Sequence, residues 1–229
     1  MLFRSLDAIR QAFALIADAS VKARQSGLGG RLKIHSAPVF AERWLVPRCG
    51  QLQDLLPNLE LSILPQRDPQ GDSTDDADIW IQYGQDDWGN RWSSRLVTLK
   101  LFPACSPRLL NSANPLRDAV DLARAHLLHE DDGREWGRWF DATGTTVAAG
   151  ERGTYFYNTG LTAVAAAHGQ GVALVDNITA ADDLASGRLV RIGDADIPAS
   201  GSYYVIARPE RMRSPTIRTA IDWLVAQFP

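Results

Sequence analysis

The chain has 229 residues, of which 45% are hydrophobic and 22% charged, with a net charge of -3. That acidic balance excludes a basic nucleic-acid clamp spread over the whole surface. No stretch nears the roughly 20 consecutive apolar residues that a membrane span needs, and the opening "MLFRSLDAIRQAF" alternates apolar and charged positions too evenly for a signal peptide. The expected location is therefore the cytoplasm. Cys49 and Cys105 lie far apart, so reduced, buried thiols are expected.

Residues 2–24 carry the clearest helical pattern. Leu2, Leu6, Ile9, Phe13 and Ile16 step by 4, 3, 4 and 3, a heptad-like seam, while Arg4, Asp7, Arg10, Asp18, Lys22 and Arg24 take the other faces. "QSGLGG" then stops the helix. A seam this long cannot bury itself and calls for a partner helix, either in a second subunit or on its own domain.

After the glycines the chain alternates between strand and helix. "RLKIHS" reads as a strand, followed by a helix from about Val39 to "LQDLL", with Pro47 either kinking it or opening a second piece. "LELSIL" and "DIWIQYG" are strands, separated by a polar stretch. "SRLVTLKLF" is a strand expected to end at Pro103, followed by short helices in "SPRLL", "PLRDAVDLARA" and "REWGRWFDAT". "GTYFYNT" enters the helix "GLTAVAAAHG". "GVALV" and "RLVRI" flank the helix "NITAADDLASG", and "SYYVIA" is one more strand. In "SPTIRTAIDWLVAQF", Ser214 caps, Pro215 sits in the first turn, and Ile217, Ile221, Leu224, Val225 and Phe228 form one face. The alternation predicts mostly parallel sheets covered by helices, in two lobes with a cleft between them.

Catalytic signatures are absent. There is no G-x-S-x-G, P-loop or H-E-x-x-H. "GLGG" precedes a strand instead of following one, so it fails as a dinucleotide fingerprint. "HGQGVAL" reads as a helix terminator. His126 and His129 beside Glu130, Asp131 and Asp132 fit a solvated turn better than a metal site, because three adjacent acids cannot all face one ion. No motif supports Cys49 or Cys105 as a nucleophile. The seven tryptophans suit core packing more than a ligand platform. Neither enzyme nor cofactor is expected.

Three strand-to-helix junctions remain. Ser36 to Phe40, and Asn158 with Thr159, each place small polar groups and backbone N–H groups at a helix N-terminus, where an anion or carboxylate is favoured. "QYG" at 82–84 ends a third strand, with Tyr83 offering a hydroxyl. The residues alone leave two readings open, a ligand site or simple helix capping by Ser36 and Thr159.

"LKIHSAPVFAERWLVPR", "DIWIQYGQDDW", "LFPACSPRLL", "LLHEDDGREWGRWF", "HGQGVALV" and "ADDLASGRLVRI", in this order, resemble the effector-binding domain of LysR-type transcriptional regulators, in the branch of the glycine-cleavage activator and the beta-lactamase regulator. The resemblance covers about residues 31–228. It implies an α/β fold of two Rossmann-like lobes, of periplasmic-binding-protein type II architecture, joined by two crossover strands and preceded by a long linker helix. Residues 1–26 would be the linker and dimerisation helix, 31–100 with 205–229 lobe I, and 101–204 lobe II.

The resemblance further implies a small effector, anionic or amino-acid-like, in the inter-lobe cleft. By position, Ser36, Ala37, Pro38, Val39 and Phe40 would line it, with Tyr83 and Gly84, Asn158 and Thr159, Tyr203 and, less directly, His129. Tyr157 stands where relatives often carry an acid. The chain would form homodimers or homotetramers through the linker helix and through lobe I packing on lobe II of a neighbour. It would meet promoter DNA only through a winged helix-turn-helix that these residues do not contain, and no membrane. The expectation is an excised regulatory fragment, with a shortened natural gene product as the alternative. A solute-binding protein of a transport system is the alternative with the same fold.

Overall fold

The computed structural model describes residues 29–65, 77–110, 116–130, 132–146 and 153–228. The expected linker helix, and most of the polar stretch before the third strand, lie outside them.

Strands β1 (Gly29–Ser36), β2 (Asn58–Pro65) and β3 (Ile79–Gly84) form the first half of the sheet. Between β1 and β2 the chain is helical throughout, with α1 (Pro38–Phe40), a π-helical turn (Ala41–Leu45), a 3-10 turn (Val46–Arg48) and α2 (Cys49–Leu55). Pro47 explains the irregularity: it has no N–H to continue the α ladder, so the helix widens before it and tightens across it. Then come β4 (Trp92–Cys105), α3 (Pro107–Leu110), α4 (Ala119–Leu122), β5 (Leu127–His129) and α5 (Arg134–Ala142). The second half continues with β6 (Gly153–Tyr155), α6 (Thr159–Ala167), β7 (Val172–Asp176), α7 (Ala181–Ala185) and β8 (Val190–Arg191). The chain returns along β9 (Ile197–Ala207) and closes with α8 (Pro215–Ala226).

The strand order is β2-β1-β3-β9-β4-β7-β5-β6, with β8 also beside β4. The outer groups β2-β1-β3 and β7-β5-β6 are parallel, as the alternating pattern predicts. Every pairing made by β4 or β9 is antiparallel. These two long strands are the crossovers. Their ladder slips between Arg95 and Val97 and again between Thr98 and Lys100, the bulges that let one sheet serve two lobes. Pro103 does not end β4 as expected. It faces Leu174 in the ladder, and its carbonyl still accepts from Ile192 N at 2.9 Å, so only a donor is lost.

Period-two patterning assigns the strands to both faces. Along β9, Tyr203, Val205 and Ala207 enter a core with Leu32, Ile34, Phe40 and Leu45, whereas Tyr204 and Ile206 join Trp80 on the reverse face. Along β7, Val172 and Leu174 pack with Trp136, Trp139 and Phe140, and Ala173 and Val175 pack with Phe102 and the alanines of α6. Helix α8 buries Ile217, Ala220, Ile221 and Leu224 in the first core, and Ser214 accepts from Ile217 N as expected of a cap. Val225, expected on that face, is exposed; Ala220 takes the place, at the i+3 position that the seam requires.

Candidate functional site

A cavity of about 610 Å³ opens where the two halves of the sheet meet. The volume is in the range of small-molecule sites. The first half supplies Ala37, Pro38 and Val39 from the turn into α1, and Tyr83 from the end of β3. The second half supplies Leu128 and Glu130 around the end of β5, Arg134, Glu135, Trp136 and Arg138 from α5, Tyr157, Asn158 and Thr159 at the start of α6, and Leu174 and Asp176 from β7. The crossovers add Leu99, Leu101, Ser200 and Tyr203. Most of the wall lies at carboxyl ends of parallel strands, where open α/β sheets leave their crevice.

The structure thus brings seven of the expected residues to one cavity: Ala37, Pro38, Val39, Tyr83, Asn158, Thr159 and Tyr203. The other four expected residues lie outside its lining. Ser36 is fully buried and donates its hydroxyl to Ala37 O at 3.2 Å. Phe40 stacks on Trp44 at 4.9 Å and backs the Tyr203 ring at 4.7 Å. Gly84 lies against Trp88, and His129 stacks on Tyr155 at 4.6 Å. Simple capping by Ser36 and Thr159 is ruled out. Ala37 opens α1 with no side-chain cap, and Asn158 caps α6 by accepting from Leu161 N at 3.0 Å. The two walls touch behind the cavity, where a Cβ on Gly160 would stand 3.3 Å from a Val39 methyl.

The two tyrosines differ. The Tyr83 hydroxyl accepts from Gly201 N at 2.9 Å and faces Ser200 Oγ at 3.4 Å. Burial raises its pKa, opposed by those two bonds. Tyr203 is 5% exposed, and its hydroxyl has no hydrogen-bond partner among the described residues. Burial pushes it far above the usual phenol range, reinforced by the charges of Asp176 and Glu130.

The charged wall contains features that the sequence reading did not pick out. Arg138 binds Glu135 at 2.5 Å and the Pro198 carbonyl at 2.8 Å, and Arg134 binds Asp132 at 2.7 Å. Asp176 is 1% exposed; its carboxylate accepts from Ile178 N at 2.8 Å, from Thr179 N at 2.7 Å and from the Thr179 hydroxyl. Burial raises its pKa despite those bonds. An acid closing "GVALVD" is the one signal that could have found it, and in sequence it looks like any turn residue. No group of three or more His, Cys, Asp or Glu among the described residues has metal-site geometry. No helix among them is long and apolar enough to cross a membrane.

Residues 25–229 match the family model of the LysR substrate binding domain. The chain belongs to that family. This LysR domain is 29% identical over 219 residues to the glycine cleavage system transcriptional activator of Escherichia coli, covering 96% of the present chain and 72% of the activator. It is likewise 29% identical over 194 residues to the transcriptional activator AmpR of Citrobacter koseri, covering 85% of this chain and 66% of that protein. Among solved structures, the effector domain of AmpR from Pseudomonas aeruginosa superposes with a TM-score of 0.74 at 25% identity, over 86% of this chain and 94% of the other. The regulatory domain of CrgA from Neisseria meningitidis, at 17% identity, shares the fold with a TM-score of 0.71 over 88% of this chain and 100% of the other. The two-lobed, periplasmic-binding-protein type II architecture of the LysR effector-binding domain is thereby shown.

Proposed function

We propose that this LysR domain is the effector-sensing and self-associating region of a DNA-binding transcriptional regulator, with a small molecule held in the inter-lobe cleft. The observation that carries the proposal is the cavity itself, whose wall draws on both halves of the sheet and on both crossovers. A ligand touching all four favours one lobe arrangement by its differential affinity for the two states. We place lobe I at 31–100 with 205–229 and lobe II at 101–204, a division that the separate cores support. Ala37, Val39, Tyr83, Asn158, Thr159 and Tyr203 are the proposed contacts, with Ser36, Phe40, Gly84 and His129 packed behind or beside them. The similarity to transcriptional activators leaves the solute-transport alternative with no observation in its favour.

A thermal-shift screen of amino acids, peptidoglycan fragments and small carboxylates tests the proposal. A hit that raises the unfolding midpoint and is weakened by Thr159→Ala and by Tyr203→Phe is the expected result. A hit whose affinity is the same in both variants would move the site elsewhere.

A further inference from the structure

Arg43 and Asp183 form an ion pair at 2.8 Å that crosses from one lobe to the other. Each partner is fixed to its own side. Arg43 sits in the π-helical turn Ala41–Leu45, whose Trp44 and Leu45 are buried in the first core, with Phe40 just before them. Asp183 sits on α7, whose Leu184, with Ala180 before it and Leu189 after it, packs with Phe102 and the alanines of α6. The Asp183 side chain is 4% exposed, so water and salt screen this pair far less than a surface one. From its own side Asp183 also accepts from Arg188 Nε at 2.7 Å. Four residues before Arg43, one helical turn away, Val39 meets the start of α6, where a Cβ on Gly160 would stand 3.3 Å from its methyl. The helical run that leaves β1 therefore touches the opposite lobe at two points. Both lie close to the cavity, since Val39 is in its lining and so is Asp176, which opens the turn into α7.

We infer that Arg43 is a latch on the cleft: its hold on Asp183 sets how far the two lobes are closed, whether or not a ligand is present. The inference goes beyond the sensor proposal and does not depend on it. Hinge opening about the crossovers β4 and β9 carries the first core away from the others. It draws the Arg43 guanidinium off a carboxylate that stays on α7 beside Arg188 alone. A buried charge left with half its compensation disfavours the open form. Val39 against Gly160 limits closure from the other direction, because a residue without a side chain already lets the two walls touch. The pair thus biases a two-state element. A cleft ligand that prefers the closed form binds with an apparent affinity scaled by the closed fraction. Arg188 holds the same carboxylate from the same lobe, so it steadies α7 without reporting the position of the other lobe.

Residual dipolar couplings of backbone amides, recorded on the full chain without ligand, read the mutual orientation of the lobes. In the wild type, couplings from both lobes are expected to fit one alignment tensor. In Arg43→Gln the single tensor is expected to be lost, each lobe fitting its own. Arg188→Gln is the control. It takes a guanidinium from the same carboxylate and lowers stability, but is expected to keep the single tensor. A merely structural role for Arg43 would lower stability in the same way and leave the tensor intact. Should Arg43→Gln fail to fold, Asp183→Asn is the second variant, with the charge removed, an acceptor kept and the same loss expected. A single tensor retained in the variant that folds, lost equally in Arg188→Gln, or lacking already in the wild type overturns the inference. None of these results touches the sensor proposal, which its own ligand screen decides.

Discussion

Cys105 ends β4 with no exposed surface, packed among Leu101, Trp139 and Leu122. Burial pushes its thiol from 9.0 up to about 11. The folded chain holds that proton after the unfolded chain has released it. The stability this group contributes is therefore complete below about pH 9 and lost as pH rises towards 11. The slope is up to about 1.4 kcal/mol per pH unit. Thermal unfolding recorded across that window should show a falling midpoint, with a shallower fall in Cys105→Ala. Cys49 is raised by burial in the same direction, so the slope in the variant shrinks without vanishing. A variant as steep as the wild type would remove Cys105 from the account. Residue-scale chemistry of this kind is only partly legible in sequence. Isolation of the two cysteines predicts reduced thiols, but the degree of burial depends on strands contributed from both halves of the chain.

Beside the crossover strands, the turn from β7 into α7 adds a second joint between the lobes. Its Ile178 packs against the first core, and Asp183 on α7, 3% exposed, binds Arg43 at 2.8 Å from across the joint and Arg188 from its own side. Arg43→Ala leaves Asp183 buried with one guanidinium in place of two. The expected loss is about 1–3 kcal/mol in chemical denaturation, with an unchanged dependence on denaturant. A double-mutant cycle with Asp183→Asn separates the pair itself, and a coupling near zero would show that Ile178 alone holds the joint. At this scale the sequence is informative where one face is buried over a long run. The apolar run "GVALV", a strand buried on both faces, and the seam of α8 both predict what is observed. Strand β5 is three residues between a helical turn and a run of acids, too short for a period to register. The π-helical turn before Pro47 and the continuation of β4 through Pro103 also escape local reading, because neighbouring segments supply the bonds that proline cannot. The cleft is legible for the same reason that β1, β3 and α6 are: its small polar residues sit at their ends. Asp176 and the α5 wall are not, since they reach the cavity only when β7 and α5 fold against the crossover strands.

For the molecule as a whole, apolar groups left on the surface bear on self-association. Leu161 and Val164 on α6 are 47% and 44% exposed, and Tyr157 beside them 85%; on lobe I, Val46 is 55% exposed. These patches, on opposite lobes, support the proposal that lobe I of one copy meets lobe II of another. Sedimentation at increasing concentration should give dimers or tetramers, and Leu161→Asp with Val164→Asp should shift the population towards monomer. A wild-type monomer at the highest concentration would sink that proposal. The position of β9 between β3 and β4 has a consequence of another kind. On the ribosome, β1, β2 and β3 emerge early but have no neighbour on their inner edge until Ala207 is made, whereas β4, β7, β5 and β6 are complete before it. The later-encoded lobe can therefore mature first, and the nascent earlier one must wait with an unpaired edge, so chaperone dependence should concentrate there.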